Sequence, residues 1–198
     1  MNARLLIALF LAAVFALGAL VVVASTQDGE DARPGEAFEG ARMPPELPAP
    51  AFELHDQDGE RIRMAELRGS PVIVTFLYTT CEDTCPLQAQ TIKGALNDLG
   101  EDLPALAIAV DPPRDTAASA RRFLAEQRMA GRLDFVLGSR RQLRPLWRGY
   151  AIRPQSITEE HTGHFVLVDK RGYQRVGFPL GQATPERLAH DLRLLLGE

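Results

Sequence analysis

The sequence has no basic surplus. Its formal net charge is −4, and its lysines and arginines are scattered along the chain instead of gathered into a run. That pattern excludes the electrostatic footprint of a nucleic-acid binder. No internal repeat is present, and Met43, Met64 and Met129 are too widely spread to form a methionine ladder. Cysteine is scarcest: Cys81 and Cys85 are the only two in 198 residues. Neither lies just after the N-terminal apolar run, which excludes lipid attachment through an N-terminal cysteine. Apolar side chains, by contrast, make up 45% of the chain against 24% charged. A sizeable core can therefore form, and the composition is not that of a disordered protein.

The longest apolar run is Leu5 to Ala24, "LLIALFLAAVFALGALVVVA". It matches the roughly 20 residues that a helix needs to cross a hydrocarbon core. A cleaved signal has a shorter apolar stretch with small residues at the cut. This run is longer and ends in valines, which favours a retained anchor over a cleaved signal for residues 1–24. Arg4 precedes it, while Asp28, Glu30 and Asp31 follow it. The positive-inside bias then leaves the N-terminus in the cytoplasm and carries the rest across. The expected location is the cytoplasmic membrane, single-pass, with the domain on the extracytoplasmic face. There two thiols meet an oxidising environment in which a disulfide persists. Residues 25–47, rich in proline and acidic side chains, read as a flexible linker, and residues 48–198 as the folded domain.

Within that domain "AFELHDQDGERIRM" alternates around Asp58-Gly59, a hairpin pattern. "PVIVTFLY" and Leu103 to Val110 are continuous apolar runs, the signature of strands buried on both faces. Between them Leu87, Ile92, Leu96 and Leu99 share a helical face that Gly100 ends. Asp115 is placed to cap a second helix closing near Gly131, and Ser139 to open a third with Leu143, Leu146 and Trp147. "FVLVD" and "YQRVGF" form a hairpin around Lys170 to Gly172, and Thr184-Pro185 starts a final helix. Strand, cysteine-bearing helix, strand, helices, hairpin and helix make an α/β domain in the thioredoxin-like order, with Cys81 and Cys85 where the first buried strand meets its helix.

A helix N-terminus presents unpaired N–H groups and a positive dipole end, so Cys81 is expected to be more acidic than a free cysteine. The i and i+4 spacing admits a disulfide and also two sulfurs on one metal ion. A third ligand could come from His55, His161, His164 or His190. His190 reads as a solvated helix histidine and His55 as a surface residue. His161 and His164 both stand at the entrance to a strand, where neighbours alternate faces. Sequence geometry does not choose between them. Two thiolates and one imidazole suit copper, Cu(I) above all, and fall short of a closed four-ligand zinc site.

Three segments together, "TTCEDTCP", "VDPPRDT" and "EHTGHFVLVDKRG", resemble the Sco/SenC family of membrane-tethered thioredoxin-fold proteins implicated in copper delivery during cytochrome c oxidase assembly. The resemblance spans about Pro48 to Leu196. It implies Cys81, Cys85 and His161 as metal ligands, with His164 where the family commonly has an apolar residue. Asp83 matches the aspartate between the cysteines, and Asp111 an aspartate that orients the site or its partner. Thr80, Glu82 and Glu160 depart from the family pattern. Glu82 puts an extra carboxylate near the thiols, which is expected to raise their pKa.

The leading expectation is a copper metallochaperone whose partner is an apo copper protein such as cytochrome c oxidase subunit II, with Cu(II) binding left open beside Cu(I). The alternative is a thiol-disulfide oxidoreductase without metal, Cys81 attacking and Cys85 resolving on a thiol-disulfide partner. A peroxidase-like variant rests on the threonine ahead of Cys81. A binding module stapled by a Cys81–Cys85 disulfide explains least, because so short a loop adds little stability. Asp56 and Asp58 read as turn residues.

Overall fold

The computed structural model describes residues 37–153 and 163–198. The expected anchor 1–24 and the ligand candidate His161 lie outside the described residues. Among the described residues no helix is long and apolar enough to cross a membrane.

The folded unit is Phe38–Glu198. Its strands are β1 (Ala41–Arg42), β2 (Glu53–His55), β3 (Arg61–Arg63), β4 (Val72–Leu77), β5 (Ala105–Ala109), β6 (Asp134–Val136), β7 (His164–Val168) and β8 (Gln174–Pro179). Its helices are α1 (Thr84–Leu99), α2 (Ala117–Glu126), α3 (Arg140–Gly149) and α4 (Pro185–Gly197). The main sheet runs β1-β8-β7-β4-β5-β6, and β2 and β3 form a separate hairpin. β4, β5 and β6 are parallel, whereas β7 lies antiparallel to β4 and β8 antiparallel to β7.

The two continuous apolar runs become the centre of this sheet because strands covered on both faces have no side chain to give to water. Every residue of β4 and β5 is buried. The β7–β8 turn is held by Asp169, whose carboxylate accepts the N–H groups of Arg171 at 3.0 Å and Tyr173 at 2.9 Å.

Helices cover both faces. On one, Gln88 of α1 accepts a 2.7 Å hydrogen bond from Thr75 of β4. On that face α1 also meets α4 so closely that a Cβ on Gly94 would lie 2.7 Å from the ring of Pro185. On the other, Trp147 of α3 donates its indole N–H to the Ala109 carbonyl at 2.9 Å, and Tyr150 sets its ring edge-on to Phe76 at 5.4 Å.

Two expectations need correction. Residues 38–47, read as linker, belong to the folded unit. Ala41 and Arg42 pair with Gly177 and Val176, and the buried carboxylate of Asp191 accepts the N–H groups of Glu39 at 2.8 Å and Gly40 at 2.9 Å. A short edge strand needs few donors, so the prolines that follow it do not prevent pairing. Asp115 does not cap α2. Thr116 does, in a reciprocal box with Ser119, and α2 ends at Glu126, well before Gly131.

The close approach at Gly94 gives a test. Alanine is normally the better helix residue by about 1 kcal/mol, but here its methyl would overlap a rigid ring. Gly94→Ala is expected to lower the unfolding free energy by about 1–3 kcal/mol, read by urea denaturation of the reduced protein.

Candidate functional site

β4 ends at Leu77 and the chain turns before α1 begins. Cys81 anchors that turn by donating its N–H to the Tyr78 carbonyl at 3.2 Å. Asp83 stands at the N-cap position of α1 but makes no side-chain cap hydrogen bond. The sulfur of Cys81 takes over. It accepts the Cys85 N–H at 3.3 Å and lies 3.5 Å from the Thr84 hydroxyl. One of the orphan donors of the first turn is thereby satisfied by a thiol sulfur.

The two thiols are free and differ in environment. Burial works against the Cys81 thiolate, but hydrogen bonds from Thr84 and from the thiol and N–H of Cys85 outweigh it and bring the pKa down to about 7. Cys85 is fully enclosed, and burial pushes its thiol well above the ordinary range, with the neighbouring Cys81 adding to the shift. Glu82 is exposed, and the expected rise at Cys81 is not found, the net shift there being downward.

Behind this turn stands Asp115, a residue that sequence reading assigned to a helix cap. The residue is 6% exposed, and its carboxylate accepts three hydrogen bonds, from the Thr79 N–H at 2.7 Å, the Thr79 hydroxyl at 3.0 Å and the Asp111 N–H at 2.9 Å. Burial raises its pKa to about 6, against the pull of those donors. Asp111 pairs with the Arg114 guanidinium. The "TTC" and "VDPPRDT" segments are thus stitched together, and the aspartate that matters most to the cysteine turn is the second in the motif. A threonine two residues before the cysteine, facing an aspartate, was the available signal.

Two cavities border Cys81. One, of about 480 Å³, is lined by Thr79, Arg122, Phe123 and Glu126 among others. The second, of about 290 Å³, is lined by Tyr78, Thr80, Cys81, Glu82, Asp83, Thr84 and Gly163. Gly163 comes two residues after His161.

His164 goes elsewhere. Thr75, facing α1, pairs with Phe165, so His164, one residue earlier, points to the face that carries α3. Its ring lies over Gly177 beside Met43, and burial lowers its pKa. His55 is exposed and its backbone pairs with Leu137, whereas His190 lies on α4. Asp56 is a turn residue, accepting the N–H groups of Asp58 and Glu60. Among the described residues no three His, Cys, Asp or Glu side chains converge as a metal cluster.

The SCO1/SenC family model matches residues 41–197. The chain belongs to the SCO1/SenC family. A structure of Bradyrhizobium japonicum ScoI with copper bound superposes with a TM-score of 0.62 at 29% identity, covering 79% of this chain and 98% of that one. A SCO2-like protein of Rickettsia prowazekii is 25% identical over 147 residues, 68% of this chain and 71% of its own length. The mitochondrial SCO1 homolog 1 of Arabidopsis thaliana is 28% identical over 119 residues, 58% of this chain, which spans only 35% of that protein. These SCO1/SenC relatives bear out the thioredoxin-like α/β fold read from element order.

Two measurements follow from the site. Alkylation of the reduced protein by iodoacetamide is expected at Cys81 alone, with a rate that is half-maximal near pH 7. Thr84→Val, which removes a donor to the thiolate, moves that midpoint upward; an unmoved midpoint contradicts the hydrogen-bond origin of the acidity. Asp115 supplies the second. Its folded pKa of about 6 exceeds the ordinary 3.8, so the folded state binds the proton more tightly. The stabilisation this gives is complete below the unfolded pKa and is lost as pH rises through the folded one. Relative to Asp115→Asn, the wild-type protein should therefore lose up to about 3 kcal/mol of unfolding free energy across that window, measured by urea denaturation at several pH values.

Proposed function

We propose that this chain binds copper through Cys81, Cys85 and His161 and hands it, as cargo, to an apo copper protein on the extracytoplasmic side of the membrane, with cytochrome c oxidase subunit II as the recipient class. The observation that carries this reading is the shared cavity: Gly163 borders the same 290 Å³ space as Cys81. Gly163 follows His161 by two residues in the sequence, which supports the histidine as the third ligand. The likeness to ScoI, whose structure holds copper, supports copper as the metal.

The donor set fits the cargo. Soft sulfurs with one imidazole suit Cu(I), which accepts low coordination numbers. Cys81 is close to half ionised at neutral pH and offers the ion its first thiolate, while the proton of Cys85 must be displaced as the ion enters. Residues 1–24 serve in this reading as the single membrane anchor.

A second reading rests on the asymmetry of the two thiols. Cys81, the more acidic, attacks a partner disulfide and releases one partner thiolate. Cys85 then gives up its proton, attacks the mixed disulfide and releases the second. The chain ends with a Cys81–Cys85 disulfide and the partner reduced by two electrons. The 480 Å³ groove beside Cys81 offers room for the partner segment.

The readings separate on the histidine. Cu(I) is titrated into the reduced full-length protein against a competing chelator, and His161→Ala is compared with wild type and with His164→Ala. Because outer-shell groups alone are worth about 10–100-fold in metal affinity, loss of the imidazole should cost more than about tenfold, while His164→Ala leaves affinity unchanged. Full affinity in His161→Ala contradicts the copper assignment and leaves thiol exchange.

A further inference from the structure

Helix α3 reads "RRQLRPLWRG". Arg140, Arg144 and Arg148 fall at i, i+4 and i+8 with Arg141 beside them, and all four are exposed. Elsewhere in the described residues Arg63, Arg114, Arg121, Arg132, Arg171, Arg175 and Arg187 each have a carboxylate within ion-pair distance, whereas single arginines such as Arg122 and Arg128 do not. Among the described residues none of the four on α3 does. Like charges at this spacing oppose helix formation, and no acidic side chain among the described residues pairs with them. The expectation of scattered basic residues is corrected by this helix, because four arginines fall within the nine residues from Arg140 to Arg148.

The ridge has a shape as well as a charge. The four arginines, with Trp147 and Ile152, line an open cavity of about 670 Å³. Trp147 and Ile152 are almost entirely buried, and the Arg140 guanidinium lies 5.9 Å from the Trp147 ring. A cationic rim above an apolar wall fits a ligand that is both anionic and partly apolar. Its place is also defined. Trp147 bonds to Ala109, the last residue of β5, which pairs with Leu77 at the end of β4. Cys81 follows Leu77 by four residues. The C-terminal turn of α3 and the cysteine turn thus stand at the same, carboxyl, end of the parallel strands, where such sheets receive ligands.

We propose that the α3 arginine ridge docks an acidic segment of a partner protein, with aspartates or glutamates bound by the guanidinium groups and an apolar side chain between them set against Trp147 and Ile152. Carboxylates match the planar fork of arginine in paired hydrogen bonds. A concave site takes an inserted side chain, which a flat bilayer does not offer, and a ridge of three turns on a protein of net charge −4 is too small a track for nucleic acid. Docking here would hold a partner at the same end of the sheet as Cys81. What passes between them rests on the copper reading, but the docking itself does not.

The test uses the reduced full-length protein in neutral detergent and a short fluorescein-labelled peptide of aspartate and glutamate with one central leucine, followed by anisotropy. Binding is expected to weaken by at least about tenfold as salt rises from about 50 to about 500 mM, where exposed charges are screened. Arg144→Glu with Arg148→Glu should lose at least about tenfold in affinity, while Arg144→Lys with Arg148→Lys retains most of it and Arg193→Glu, on α4, leaves it unchanged. Equal binding by the charge-reversed protein overturns the proposal, as does absence of binding by wild type. Ridge-dependent capture by phosphatidylglycerol vesicles without peptide binding also overturns it, in favour of a lipid headgroup. Cu(I) affinity of the charge-reversed protein should equal that of wild type, so failure of docking and failure of the copper reading are distinguishable.

Discussion

The first turn of α1 is closed by a sulfur where an oxygen usually sits. Asp83 occupies the cap position, yet the Cys81 sulfur receives the Cys85 N–H. Unpaired N–H groups at a helix start favour negative charge, so the helix that positions the two cysteines also makes one of them a thiolate near neutral pH. The same lone pairs are what a metal ion, the other cysteine or a partner disulfide would use. Cap, ligand and nucleophile are one atom in this fold, and any bond formed there competes with the helix for it.

Such an atom is useful only if its turn is held in place, and most of the surroundings do that. The base is β4, fully buried between β5 and β7. From behind, Asp115 grips both the N–H and the hydroxyl of Thr79 while accepting the Asp111 N–H. Asp115, buried among donors and lacking a direct cationic partner, keeps a raised pKa. Asp111, also buried, pairs with Arg114 instead. Division of labour between the two aspartates explains why one short segment carries both.

Much of the fold was legible because it follows from period and punctuation. The apolar runs at β4 and β5 admit few other roles, the Lys170 to Gly172 turn marks the β7–β8 hairpin, and Thr184 with Pro185 opens α4. Features decided by competition between neighbours were not legible. Asp115 and Thr116 are both good caps, and only the buried position of the first sends the cap to the second. The β1 edge strand is too short for a pattern and sits beside prolines that suggest a tether. Sequence alone left His161 and His164 as rivals. Register with β4 turns His164 toward the α3 face, while His161 lies outside the described residues and rests on the family pattern and on the position of Gly163. The arginine run of α3 stands in the sequence as "RRQLRPLWR", but which carboxylates reach it is decided only by the fold.

The donor set is the point on which the functional reading turns, and X-ray absorption at the copper edge of the Cu(I)-loaded, reduced full-length protein tests it most directly. Two sulfur scatterers and one imidazole, with the imidazole signal lost in His161→Ala, are the expected result. A shell of sulfur alone in the wild-type protein, or one unchanged by that substitution, would contradict it.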